Sequence, residues 1–321
     1  MVDPFVSPFV PIIGDAALSA LRGSRFLSTQ FDAVPVVLVL GALVVYLWAV
    51  RRVNRLQPRH RWPVGRTVAW IGALLATSIA IFSFIGVYDG ELFYDHMIQH
   101  LLLIMVAAPL FAVASPIDLA WRAARGHARR WLTTWLRSTV ARLLGHPATA
   151  FVLYALVIPL THLTSWYNYT LLHESVHNAE HLVFLGVGYL FWRQIFGSDP
   201  NRYRMHPALQ FGYLFLAIPI DTFTGLSLDG ASHELFPAYL SLHRTWGPPL
   251  VQDLHIGGVI MWVGGDTLML WPMIPVALRW LHQDERRAVR NDRALDATVR
   301  GSQGPAVLDA STATEPTRSV P

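Results

Sequence analysis

Seven apolar runs, near 33–50, 67–87, 95–115, 148–165, 177–196, 208–228 and 253–280, alternate with shorter polar stretches. Crossing a hydrocarbon core takes roughly 20 apolar residues in a helix, so the pattern predicts an all-α, polytopic membrane bundle of seven transmembrane helices. The first run lies far from the start and lacks a charged leader and a small-residue cleavage site, so it reads as a retained span. Between the third and fourth runs, Trp121, Trp131, Leu132, Trp135, Leu136, Val140 and Leu143 recur at helical spacing, while Arg129, Arg130, Arg137 and Arg142 fill other positions. That stripe predicts a cytoplasmic helix lying in the interface near 118–144. Three regions result: an outer leader over 1–32 broken by Pro4, Pro8 and Pro11, a membrane domain over 33–280, and a cytoplasmic, largely disordered tail over 281–321.

Composition sharpens this reading. Of 321 residues, 53% are hydrophobic and only 14% charged, against about a quarter charged in soluble domains. All 25 basic residues are Arg. The net charge of +4 would suit nucleic acid if the arginines formed one patch, but they fall between the apolar runs, which excludes that partner and points to a lipid bilayer. Basic loops near span ends stay cytoplasmic, and 22 of the 25 arginines lie in the segments 51–66, 116–147, 193–207 and the tail from 279. The N-terminus is therefore expected outside and the C-terminus in the cytoplasm. No cysteine is present, so disulfides, thiolate metal sites and Cys nucleophiles are excluded.

The 14 histidines divide unequally across this topology. His60, His127, His146, His206 and His282 lie among arginines, where a solvated or headgroup-facing imidazole is ordinary. The other nine lie in outer loops or the outer part of a span. The third run opens Asp95-His96-Met97-Ile98-Gln99-His100, an i, i+4 pair on one helix face with Asp95 and Gln99 as supporting partners. The fifth is entered through His173, His177 and His181, a slowly rotating stripe. The seventh opens Asp253-Leu254-His255 before the small pair Gly257-Gly258, which suits close helix packing. His162, following Pro159, is a weaker candidate, as are the loop residues His233 and His243. Asp221, inside the sixth run, must be paired or protonated. The candidate metal ligands are therefore His96, His100, His177, His181, His255, Asp253, His173 and Asp95. Imidazole suits zinc, copper, iron or nickel, and Met97 or Met261 would favour reduced copper, although a Met in an apolar helix ordinarily packs.

The run DHMIQHLLLIMVAAPLFAVASP over 95–116 resembles the hallmark segment of the CtaG family of cytochrome c oxidase assembly factors. The fifth-span entry ending HNAEHLVFLGVGYLFW and the seventh-span run GGVIMWVGGD are similar to the same family. The resemblance extends from the second span to the seventh. It implies a multi-pass protein of the bacterial plasma membrane that helps place copper into a terminal oxidase, with an oxidase subunit and an outer-face copper donor as partners and without catalysis of its own.

The residues alone leave other readings open. An intramembrane di-metal enzyme would draw carboxylate ligands from Glu174, Glu180, Asp95 and Asp253; a haem carrier would use two axial histidines. A copper transporter would need a ligand ladder in the inner halves of the spans, where Asp221 and Asp266 are the available groups. Metal analysis with visible and paramagnetic spectra separates these: a Soret band marks haem, two irons mark the enzyme, and one loosely held copper without turnover marks assembly.

Overall fold

A computed structural model describes residues 28–302 except Ser198, Asn201, Arg202, Leu242, His243 and Thr245, with 299–302 as backbone alone. Every regular element among the described residues is helical. In lipid each backbone polar group must be satisfied within its own segment, which is why apolar runs fold this way. Helix α1 (Ala33–Leu56) leads into α2 (Val64–Phe82) and its short continuation α3 (Phe84–Tyr88). The third run is α4 (Phe93–Leu101), a π-helical turn over Leu102–Ala107, α5 (Ala108–Ala114) and α6 (Pro116–Ala123). Two surface helices follow, α7 (Gly126–Arg137) and α8 (Thr139–Leu144). The fourth run is bent by 67° between α9 (Pro147–His162) and α10 (Trp166–Leu172). Then come α11 (Glu174–Trp192), α12 (Pro207–Asp229) and the short α13 (Pro237–Leu240). The seventh run is α14 (Leu250–Val259), a second π-helical turn over Ile260–Gly264, and α15 (Gly265–Ser302).

Among the described residues, five helical stretches are long and apolar enough to cross a membrane, or six if the bent pair α9 and α10 counts as one. The one expected span not among these, the fifth, α11, has 19 residues, but Glu174, His177, Glu180 and His181 in its first turns lower its hydropathy. Two expectations change in detail. The segment near 118–144 is three helices, broken where Ala124 is extended and Gly126 takes a φ of 56°, and again at Ser138, whose Oγ accepts from Ala141 N. The stretch after 281 is helical to Ser302, since Gln, Glu, Arg, Ala and Leu propagate the span's helix. The leader over 1–27 and the tail beyond 302 lie outside the described residues.

Val37, Leu40, Val44, Leu75, Leu216, Phe223, Leu270 and Ile274 are all more than half exposed. An apolar exterior on this scale belongs against lipid. Inside, Phe93, Tyr154, Tyr167, Phe184, Phe191 and Leu214 form the main core, and a smaller one gathers around Tyr46, Val53, Trp62 and Leu119. Glycines let α12 and α14 touch backbone to backbone: a Cβ on Gly258 would stand 2.6 Å from Asp229 N and 2.7 Å from Gly225 O.

The bundle's two ends differ chemically. At one, Asp118 joins Arg66 (3.0 Å) and Arg122 (2.9 Å), and Asp199 accepts from the Asp118 backbone N–H (2.8 Å) and from the Tyr189 hydroxyl. Gln194 Nε2 donates to Gly145 O (3.3 Å) at the same end. At the other, Tyr167 and Tyr239 share a hydroxyl bond of 2.6 Å, and Arg244 donates to Glu91 O (2.6 Å). The loops expected on one side of a membrane therefore pack together, and the histidines of the candidate site gather at the arginine-poor end.

Candidate metal centre

Helix α4 starts at Phe93 because the Asp253 carboxylate accepts from the free N–H groups of Phe93 (3.2 Å) and Tyr94 (3.0 Å). Arg244 Nη1 holds the same carboxylate at 2.8 Å. The first turn so fixed carries His96 and His100 inward, stacked one above the other with ring centroids 4.0 Å apart. At the bend between α9 and α10, His162 enters the bundle from the other side, its ring 5.2 Å from that of His100 and 6.2 Å from that of His96. One nitrogen from each of the three lies within 4.8 Å of the others. All three residues are buried, His96 completely.

Hydrogen bonding separates this triad from an ordinary buried polar cluster. His162 Nδ1 lies 2.9 Å from Ile158 O, and a carbonyl can only accept, so Nδ1 carries the proton and Nε2 keeps its lone pair. That Nε2, together with both ring nitrogens of His96 and both of His100, is buried without a hydrogen-bond partner. Buried polar atoms are nearly always satisfied. Three buried imidazoles, each with one unsatisfied lone-pair nitrogen to offer, fit the donor set of a borderline or soft metal ion, with Ile158 O orienting one ligand from behind.

A second group sits beside the first. Asp89, His177 and His181 also offer atoms within 4.8 Å of one another, and the ring of His177 is 5.2 Å from that of His96. This group is hydrogen-bonded throughout. Gln99 Nε2 donates to Asp89 Oδ2 (2.7 Å) and to Ala80 O (3.0 Å), Gln99 Oε1 accepts from His181 Nε2 (2.7 Å), and His177 Nε2 meets Asp89 Oδ2 at 3.2 Å. Asp89 and His177 are partly exposed, whereas His181 is buried.

The eight residues predicted as ligands are thus sorted by the fold. His96 and His100 enter the first group, and His177 and His181 enter the second. Asp95 is buried with Oδ1 unpartnered but belongs to neither group. Asp253 serves as a helix cap. His255 Nε2 lies 2.8 Å from Ala231 O, and exposed His173 bonds Tyr169 O at 3.0 Å through Nδ1. Sequence reasoning placed His162 among weak candidates and did not name Asp89. The proline three residues before His162 was the available signal; for Asp89, in the turn before the third span, there was none.

Comparison with known proteins places the chain in a family. The family model for the cytochrome c oxidase caa3 assembly factor matches residues 44–283. An uncharacterized protein of Mycobacterium leprae is 31% identical over 279 residues, 84% of this chain and 42% of its own length. Uncharacterized proteins of Mycobacterium bovis and Mycobacterium tuberculosis are each 32% identical over 273 residues, 83% of this chain and 40% of theirs. The chain therefore spans well under half the length of these relatives. No solved structure matches. Both His groups lie inside the matched segment, and the chain belongs to the family of cytochrome c oxidase caa3 assembly factors.

Proposed function

We propose that this protein is a non-catalytic copper-binding chaperone that receives copper at the outer face of the bacterial plasma membrane and passes it to a subunit of a terminal oxidase during assembly. The observation that carries the reading is the His96, His100 and His162 triad, buried with five imidazole nitrogens unsatisfied. Copper is the cargo, and an assembly factor must release what it binds. A set of neutral imidazoles without thiolates suits reversible holding of copper better than permanent trapping. Asp89, His177 and His181 lie between the partly exposed surface and the triad, so an ion entering there meets a graded series of donors.

This reading includes seven spans, with α11 as the fifth, the N-terminus outside and the C-terminus in the cytoplasm. The polar entry of α11 is then the part of a span that faces the metal, and burial of Glu180 and His181 among neighbouring helices supports its membrane depth. Reporter fusions after Arg61 and after Gly230 should report opposite compartments; both on one side would remove the orientation on which the outer-face site depends. The function is tested by metal analysis of protein purified in lipid, paired with oxidase activity in a deletion strain with and without added copper. Bound copper, no Soret band, and an oxidase defect eased by copper are expected. A stoichiometric haem or a pair of irons in place of copper would overturn the reading.

A further inference from the structure

Directly against the triad lies a cavity of about 20 Å³ lined by Met97, His100, Met105, His162, Asp221 and Met261, among others. It is large enough for one water-sized occupant. Two features distinguish it from a packing defect. Met105 and Met261 both sit in π-helical turns, Leu102–Ala107 and Ile260–Gly264, on different spans. Such turns are rare and concentrate at functional sites, and here two of them meet at one cavity. The second feature is charge: Asp221 is buried in the middle of α12 with Tyr154 Oη donating to Oδ2 at 2.8 Å, and no Arg lines the cavity. A carboxyl buried there is neutral either with its own proton or beside a cation, so a monovalent cation that displaces the proton leaves the site neutral.

The geometry points to a second metal position in this cavity, taking a soft monovalent cation of the Cu(I) class through methionine sulfurs and sharing His100 and His162 with the triad. Thioethers select Cu(I) over divalent ions, and Asp221 supplies the balancing charge. The position rests on the copper reading above and deepens it: the ion can settle between an imidazole site and a sulfur-containing one through two common ligands. Gly257 permits the arrangement, because a Cβ there would come within 3.1 Å of Met97 Cγ and 2.3 Å of the Phe93 ring.

The test is X-ray absorption at the copper edge on the full chain in lipid nanodiscs, loaded with Cu(I) under reducing conditions. The wild type should show sulfur as well as nitrogen scatterers. Met97→Leu with Met105→Leu and Met261→Leu, which nearly conserves side-chain volume, should lose the sulfur shell, whereas Met269→Leu, buried elsewhere on α15, should keep it. Should the triple variant fail to fold, selenomethionine-labelled wild type read at the selenium edge must show a copper neighbour. Copper bound through nitrogen alone in the wild type overturns this position and leaves the triad standing. A sulfur shell that survives Leu at 97, 105 and 261 together also overturns it. A protein that binds no copper removes the functional reading and this position with it.

Discussion

His162→Ala will strip copper from the purified protein as thoroughly as His100→Ala, and either change will bring oxidase activity down to that of a deletion strain. Each variant removes one of three buried imidazoles whose free nitrogens converge within 4.8 Å. Losing a partner one shell further out already weakens a metal site by about 10- to 100-fold, so loss of a direct ligand should exceed that range. His162 is the sharper test because it belongs to no i, i+4 pair and only the fold brings it to His96 and His100. His181→Ala, in the hydrogen-bonded second group, should slow loading more than it reduces final copper content. His255→Ala and His173→Ala should retain wild-type copper, since each already bonds a backbone carbonyl, and His60→Ala is the control at the arginine-rich end. Full copper and full oxidase in both triad variants, at wild-type protein level, would return these histidines to a structural role.

Gly258→Val should produce a large loss of stability. The new Cβ would press on Asp229 N at 2.6 Å and Gly225 O at 2.7 Å, and these are backbone atoms that no rotamer change can move. Overpacking a filled core costs about 1–3 kcal/mol, and a backbone clash lies at or above the upper end. The damage should spread to the metal site, since α14 presses on α4 through Gly257 and Phe93. Gly186→Ala is the counterpart: a Cβ there meets nothing within 4 Å, and removing a helix-interior glycine should gain up to about 1 kcal/mol. Thermal unfolding in nanodiscs checks both. A Gly258→Val protein that melts with the wild type would mean that α12 and α14 do not approach as described.

The helical architecture was legible because a bilayer forces apolar runs of sufficient length into helices, and the side-by-side placement of His96 with His100 follows from helical pitch. What pitch cannot give is which face of which neighbour is met. His162 joins the triad because the chain bends by 67° just after it, and Asp89 joins His181 because Gln99 bridges them across helices. Asp253 and His255, which open a span beside a glycine pair, hydrogen-bond the N-terminus of α4 and a loop carbonyl, demands created only once the helices are packed.

The π-helical turn over Leu102–Ala107 also sets how the third span must be counted. His100 and Ala108 both face α11, His100 beside Phe184 and Ala108 against Gly188, yet eight residues along an α-helix leave two side chains about 80° out of phase. Absorbing one residue in the wider turn brings them to within about 20°. In register terms the span is one residue longer than its faces require. A one-codon deletion within 102–104 would therefore yield an ordinary α-helix whose upper and lower halves still meet their neighbours, and whose casualty is the placement of Met105. Insertion or deletion scanning of this stretch would separate the length that folds the bundle from the extra residue that shapes its interior.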